Sequence, residues 1–244
     1  AQRFNRPGFD VIDHHTFAVV SDGDLMEGVA AEAASLAGHL RLGKLIYLYD
    51  SNDITLSGTL GLSCSDDTAG RFESYGWQVL RVENGNDAAA VGLALAEAGA
   101  ETGKPSLIIA QTTIGFGSPN KQGTYDVHGA PLGPDEVVLT KKNLGWPSEE
   151  PFFVPDEALA CMREAVEAGA KAEAAWDALF AAYEKDYPEL AAELKRDFAG
   201  RLPDGWESAL PVFPADAKGL ATRASSGEAL NAVATGSLHA VIRG

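Results

Sequence analysis

Two short apolar runs, Phe17-Ala18-Val19-Val20 and Leu45-Ile46-Tyr47-Leu48-Tyr49, flank a stretch of helical spacing, and each passes directly into an oxygen-bearing side chain. The first leads into Ser21-Asp22-Gly23-Asp24-Leu25-Met26-Glu27-Gly28, the second into Ser51-Asn52-Asp53-Ile54, so Asn52 follows Asp22 by 30 positions. A strand–helix–strand unit closes with one hand, and its strand ends fall side by side at the carboxyl edge of a parallel sheet. Asp22 and Asn52 are therefore expected to meet beside a helix N-terminus. Oxygen donors suit a hard cation such as Mg²⁺ or Ca²⁺. Helix N-termini and bare glycine backbone suit phosphate. An Asp-Gly or Asn-Asp pair by itself is usually turn chemistry. The two together, at this spacing and between these strands, predict a site for a divalent metal carrying a diphosphate.

The remaining pattern predicts an α/β fold, a parallel sheet flanked by helices. Residues 16–20 read as a buried strand. Residues 27–42 read as a helix rich in small residues (Ala30, Ala31, Ala33, Ala34, Ala37, Gly38), which predicts a deeply placed, tightly packed element. A short helix over 66–75, a strand over 77–82, a helix capped by Asn86 or Asp87 and a strand over 106–112 follow. Residues 115–133 break the alternation with five Gly and two Pro in nineteen positions. A loop of that length in a compact domain is usually functional or disordered. It follows a strand, so it should lie at the same edge as Asp22 and Asn52. Pro134-Asp135-Glu136 opens another helix. Residues 155–200 show helical spacing at Leu159, Met162, Val166, Trp176, Leu179, Phe180 and Tyr183, divided by Pro188, and predict an amphipathic pair packed on the domain. Residues 202–218 read as a linker, 221–234 as a helix and 240–242 as a strand.

Thirty-five acidic against nineteen basic residues give a net charge of −16, which disfavours nucleic acid and anionic membranes as partners. Cys64 and Cys161 form no paired motif, which favours a reducing compartment, and no run approaches a membrane span; the expected location is the cytoplasm. The chain of 244 residues does not begin with Met and reads as a piece of something larger.

Asp22-Gly23 followed after about thirty residues by Asn52 resembles the thiamine-diphosphate motif. More narrowly, residues 22–28 with Glu32-Ala33-Ala34-Ser35-Leu36-Ala37-Gly38-His39-Leu40 resemble the transketolase family. So do Ile114-Gly115-Phe116-Gly117-Ser118-Pro119-Asn120-Lys121 and Val127-His128-Gly129-Ala130-Pro131-Leu132-Gly133. Two departures stand out: Ser21 replaces a family glycine, and Tyr125 stands where several members have a second histidine. The resemblance implies a thiamine-diphosphate-binding domain over residues 1–200, incomplete at its N-terminus and carrying the helical extension. A linker over 201–221 and the start of a pyrimidine-binding domain over 222–244 would follow.

The resemblance also implies roles. Asp22, Asn52 and the backbone carbonyl of Ile54 would bind Mg²⁺, for which Ca²⁺ or Mn²⁺ could substitute. Gly23 would let the diphosphate approach the backbone. Glu27 and Glu32 would belong to an acidic network between two cofactor sites of a homodimer, and Glu27 is counted with the cofactor residues. His128 would contact diphosphate and substrate and move a proton. Arg223 would bind the phosphate of a sugar phosphate. Lys104 and Lys121 read as solvated charges, and His14, His15, His39 and His239 carry no motif role.

The implied activity is transfer of a two-carbon ketol group from a ketose phosphate to an aldose phosphate, in the pentose phosphate pathway. Substrate-holding histidines before Ala1 and a ring-activating glutamate after Gly244 would complete the site. The isolated segment is therefore expected to bind cofactor weakly and to turn over nothing. A dihydroxyacetone synthase, a phosphoketolase, a deoxyxylulose-phosphate synthase or a non-catalytic assembly module are the alternatives.

Overall fold

The computed structural model describes residues 1–215 and 218–236; the strand expected over 240–242 and His239 lie outside them. The chain divides into two compact units, His14–Pro155 and Ala1–Asp13 with Asp156–Gly244.

The first unit carries β1 (Thr16–Ser21), α1 (Asp22–Met26), α2 (Gly28–His39), β2 (Leu45–Ser51), a small hairpin of β3 (Ile54–Thr55) and β4 (Gly58–Thr59), α3 (Thr68–Ser74), β5 (Gln78–Val82), α4 (Ala88–Ala100), β6 (Ser106–Gln111) and α5 (Pro134–Asn143). The sheet is parallel throughout, in the order β1-β2-β6-β5. This is the α/β architecture expected from the alternation of apolar runs and helical spacing. Asp87 accepts from the Ala89 and Ala90 amides to cap α4, and Asp67 accepts from Gly70 at the start of α3. Each such cap stabilises its helix by about 1 kcal/mol.

Side chains alternate across the sheet, so its two faces build two cores. On one, Tyr49, Leu107 and Ile109 pack under Ala34, Ala37, Phe72 and Trp77. The Trp77 indole N–H donates to the Ala34 carbonyl at 2.8 Å, which ties the strand that follows α3 to the middle of α2. On the other, Ile46, Val82 and Ile108 pack against Ala94 and Ala98 of α4.

Three local expectations need correction. The helix expected over 27–42 is α2 alone, shorter at both ends; Glu27, with an extended backbone (φ −66°, ψ 135°), is its cap and separates it from the short α1 that precedes it. The end of α2 comes at His39, where Arg41 turns left-handed at φ 53°. Second, α2 is close-packed on one side only. A Cβ on Gly38 would lie 1.8 Å from the Tyr75 carbonyl oxygen, yet Val29, Leu36 and Leu40 on other faces are exposed. Third, β1 is not buried: Phe17 is 61% and Val19 74% exposed. It is the edge strand, and α4 packs on β5 and β6 and leaves that face of β1 bare.

In the second unit, α6 (Asp156–Asp186) and α7 (Pro188–Phe198) form the expected pair divided at Pro188. Their core is Phe180, Tyr183, Ala191 and Leu194 with Val11 of the N-terminal segment. Tyr183 O–H donates to the Phe4 carbonyl at 2.7 Å, and the Trp176 N–H to the Val11 carbonyl at 3.0 Å. Arg3 grips Glu193 with two bonds of 2.7 and 2.6 Å. Contrary to the expectation of a continuous packed face, Met162 and Val166 in the first half of α6 are 73% and 71% exposed. The segment expected as a linker contains a short 3-10 turn, Trp206–Ala209, before α8 (Thr222–Gly236).

The close approach at Gly38 gives a test of the α2–α3 packing. Gly38→Ala should destabilise the protein by about 1–3 kcal/mol, since a backbone carbonyl cannot step aside as a side chain would. Chemical denaturation measures it, and an unchanged midpoint would show that α2 can shift at no cost.

Candidate metal and diphosphate site

Parallel pairing fixes where the strands end. Ser21 stands opposite Asp50 and Ser51 opposite Gln111, so the segments after β1, β2 and β6 all leave from one edge. Asp22, Asn52 and the loop beginning at Thr112 are thereby neighbours. Thr112 reinforces this: its amide donates to the Ser51 carbonyl at 3.1 Å and its hydroxyl to Asp50.

Asp22 is the first residue of α1 and only 3% exposed. Its Oδ1 accepts from the Tyr49 hydroxyl, while Oδ2, also buried, has no hydrogen-bond partner. Burial pushes this carboxyl above its ordinary range; the Tyr49 hydroxyl and the backbone N–H groups of Asn52 and Asp53 pull it back. Burial and the bond to Asp22 push Tyr49 up to about 12, which keeps it a donor.

Asn52 is half-buried, and its Oδ1 accepts from the Ile54 amide at 3.0 Å. That turn requires a left-handed backbone at Asp53, φ 61°. It presents Asn52 and Ile54 one after the other beside Asp22 and leaves the amide oxygen a further lone pair. Gly23 is exposed, and a Cβ placed on it would meet nothing, so the space before it is open. Ser21 is extended (φ −120°, ψ 177°), a conformation open to any residue, so the absence of glycine costs the turn nothing. Its amide and hydroxyl both donate to Asp24 Oδ2, at 2.8 and 2.9 Å.

The chemistry fits a hard cation. A buried carboxylate oxygen without a partner is expensive unless something positive reaches it. Among the described residues, no group of three or more His, Cys, Asp or Glu side chains could hold a metal ion by itself. One carboxylate, one amide and a backbone carbonyl suit a magnesium ion that takes its other oxygens from water and phosphate.

The loop over 112–133 is internally braced. Glu136, in the first turn of α5 and buried, accepts from the Ser118 hydroxyl, the Asn120 amide and the Asn120 side chain. Asn120 and Ser118 hold its carboxyl below the usual range. Asn143 donates to the Gly117 carbonyl at 3.0 Å. Lys121, expected as a solvated charge, is half-buried and donates to the Leu132 carbonyl at 2.7 Å, because the loop folds back over it. His128 follows a 3-10 turn (Tyr125–Val127) and is exposed.

Of the residues singled out from sequence, Asp22, Asn52 and Ile54 stand together with Gly23 adjoining. Glu27 is exposed at the joint between α1 and α2, and Glu32 is exposed on α2. His128 belongs to the loop that leaves the same edge. Arg223 is exposed at the start of α8, in the other unit. Tyr49 was missed. It lies in an apolar strand run, where an aromatic reads as core, and nothing in its spacing announces that its hydroxyl reaches Asp22.

A parallel α/β sheet with an acid and an amide at its carboxyl edge places the chain among α/β domains with a polar site at that edge, and comparison with known proteins narrows the class. Residues 1–203 match the family model described as transketolase, thiamine diphosphate binding domain. The chain is 58% identical over 235 residues to a transketolase of Geobacillus stearothermophilus, covering 96% of this chain and 35% of that protein. It is 51% identical over 235 residues to one of Bacillus subtilis, with the same coverage. A solved structure of a Pichia stipitis transketolase in complex with sedoheptulose-7-phosphate superimposes with a TM-score of 0.84 at 44% identity, over 96% of this chain and 35% of that one. The chain belongs to the transketolase family. It spans about a third of the length of these relatives.

The buried Glu136 gives this region a pH signature. A carboxyl lowered on folding adds stability that is complete above its unfolded value and disappears as pH falls through the folded one. Glu136→Gln should therefore be less stable than wild type at neutral pH, with the gap closing in acid. Melting curves of both proteins from pH 7 to pH 3 measure it; a gap independent of pH would contradict the assignment.

Proposed function

We propose that this chain supplies the metal- and diphosphate-binding part of a transketolase, which moves a two-carbon ketol group from a ketose phosphate to an aldose phosphate. The observation that carries the reading is the buried, unpartnered Oδ2 of Asp22 beside the Asn52 turn, in a chain of this family. Bound thiamine diphosphate would supply the nucleophilic carbon and the electron sink that carbon–carbon cleavage needs. Asp22, Asn52 and the carbonyl of Ile54 would hold Mg²⁺, which offsets the diphosphate charge in a chain of net charge −16. Ca²⁺ or Mn²⁺ could occupy the same oxygen set. Gly23 lets the diphosphate come close to the backbone.

His128 is the residue for proton movement and hydrogen bonding at the substrate oxygens. Arg223, with its planar guanidinium, suits the phosphate of the sugar. In this reading, residues 222–244 begin a second, pyrimidine-binding domain after a linker over 201–221. A homodimer is the proposed assembly: Val29, Leu36 and Leu40 leave α2 with an apolar face toward solvent, near the acids Glu27 and Glu32. Two unpaired thiols are consistent with a reducing, cytoplasmic setting, and among the described residues no helix is long and apolar enough to cross a membrane.

Calorimetric titration of the full-length polypeptide carrying this sequence with Mg²⁺ and thiamine diphosphate tests the site. Asp22→Ala should abolish metal-dependent binding; unchanged affinity would defeat the ligand assignment. His128→Ala should keep that metal dependence and lower kcat for ketol transfer by about 10²–10⁴-fold. A full kcat would remove His128 from the chemistry.

A further inference from the structure

We infer that Tyr49 is a positioning residue for the metal-binding carboxylate: its hydroxyl holds Oδ1 of Asp22 so that Oδ2 alone is presented to the cation. The inference rests on the reading of Asp22 as a metal ligand.

Tyr49 is 5% exposed, and its ring is part of the core built by Leu25, Ala34, Phe72 and Leu107. The hydroxyl is therefore anchored from behind by packing. It donates to Asp22 Oδ1, and the other carboxylate oxygen stays buried without a partner. The terminal torsion of an aspartate is soft, so its two oxygens exchange places easily unless one is held. A donor fixed on β2, the strand paired with β1, selects one orientation. The type of donor matters as much as its place. Lysine or arginine would bring a positive charge to the carboxylate and compete with the cation. A phenol orients the group and leaves its negative charge for the metal. Partners of this kind, one bond removed from a metal, typically change affinity by about 10–100-fold when lost.

The bland alternative is that the bond only stabilises the fold. The two differ in metal selectivity. Mg²⁺ demands near-ideal octahedral geometry, whereas Ca²⁺ accepts irregular oxygen sets. A carboxylate free to turn should therefore lose Mg²⁺ affinity more than Ca²⁺ affinity, while a general loosening weakens both alike.

The experiment is titration of the full-length polypeptide with Mg²⁺, and separately with Ca²⁺, at fixed thiamine diphosphate, comparing wild type, Tyr49→Phe and Asp22→Ala. Tyr49→Phe keeps the ring and removes the hydroxyl. The expected result is about a 10–100-fold loss of Mg²⁺ affinity with a smaller loss for Ca²⁺. Equal losses for both ions, or wild-type Mg²⁺ affinity in Tyr49→Phe while Asp22→Ala has lost binding, would overturn the positioning role and leave the site reading intact. Wild-type binding by Asp22→Ala would overturn the site reading itself. Should Tyr49→Phe fail to fold, a crystal structure of the wild-type protein with Mg²⁺ and thiamine diphosphate decides. Oδ2 on the metal and Oδ1 on the Tyr49 hydroxyl is the expected arrangement; both oxygens on the metal, or a hydroxyl turned away, would overturn it.

Discussion

The shared finishing line of β1, β2 and β6 is the constraint on which the site depends. Parallel hydrogen bonding sets Ser21 against Asp50 and Ser51 against Gln111, so three turns open on one edge. Asp22, Asp50 and Asp53 gather there in a chain that is already strongly acidic. Tyr49 and Thr112 absorb part of that charge through hydrogen bonds. They do not absorb all of it. Oδ2 of Asp22 is left buried without a hydrogen-bond partner.

Much of this was legible before any coordinate. Strand alternation and cap residues reflect rules that act within a few residues, and the thirty-residue interval between Asp22 and Asn52 reflects the one hand of a strand–helix–strand unit. The turn at Asn52 and the caps at Asp67 and Asp87 follow from side chains that can reach their own neighbouring amides. What escaped depends on partners distant in sequence. Tyr49 meets Asp22 across 27 residues, and Lys121 is half-buried because the loop folds back to bring the Leu132 carbonyl to it. The short helix before Glu27 has no composition signal either, since Asp22-Gly23-Asp24 reads as a turn. Exposure of Phe17, Val19, Met162 and Val166 could not be read from apolar spacing, which marks a face for burial without saying what buries it.

The candidate site combines parts held in place by different means. Asp22 is fastened to the sheet through an aromatic core. The loop that carries His128 is fastened by polar contacts, chiefly those of Glu136 with Ser118 and Asn120. Left-handed glycines at 115, 117, 123, 129 and 133 shape its turns.

The bare face of β1 has a consequence for handling the molecule. Among the described residues this strand closes the sheet on one side, and Phe17 and Val19 project from it toward water. An open backbone ladder next to two large apolar side chains is a template for a stranger's strand. With that edge uncovered, the chain should self-associate more as its concentration rises, and gentle detergents or a grafted charge at position 19 would be the natural remedies.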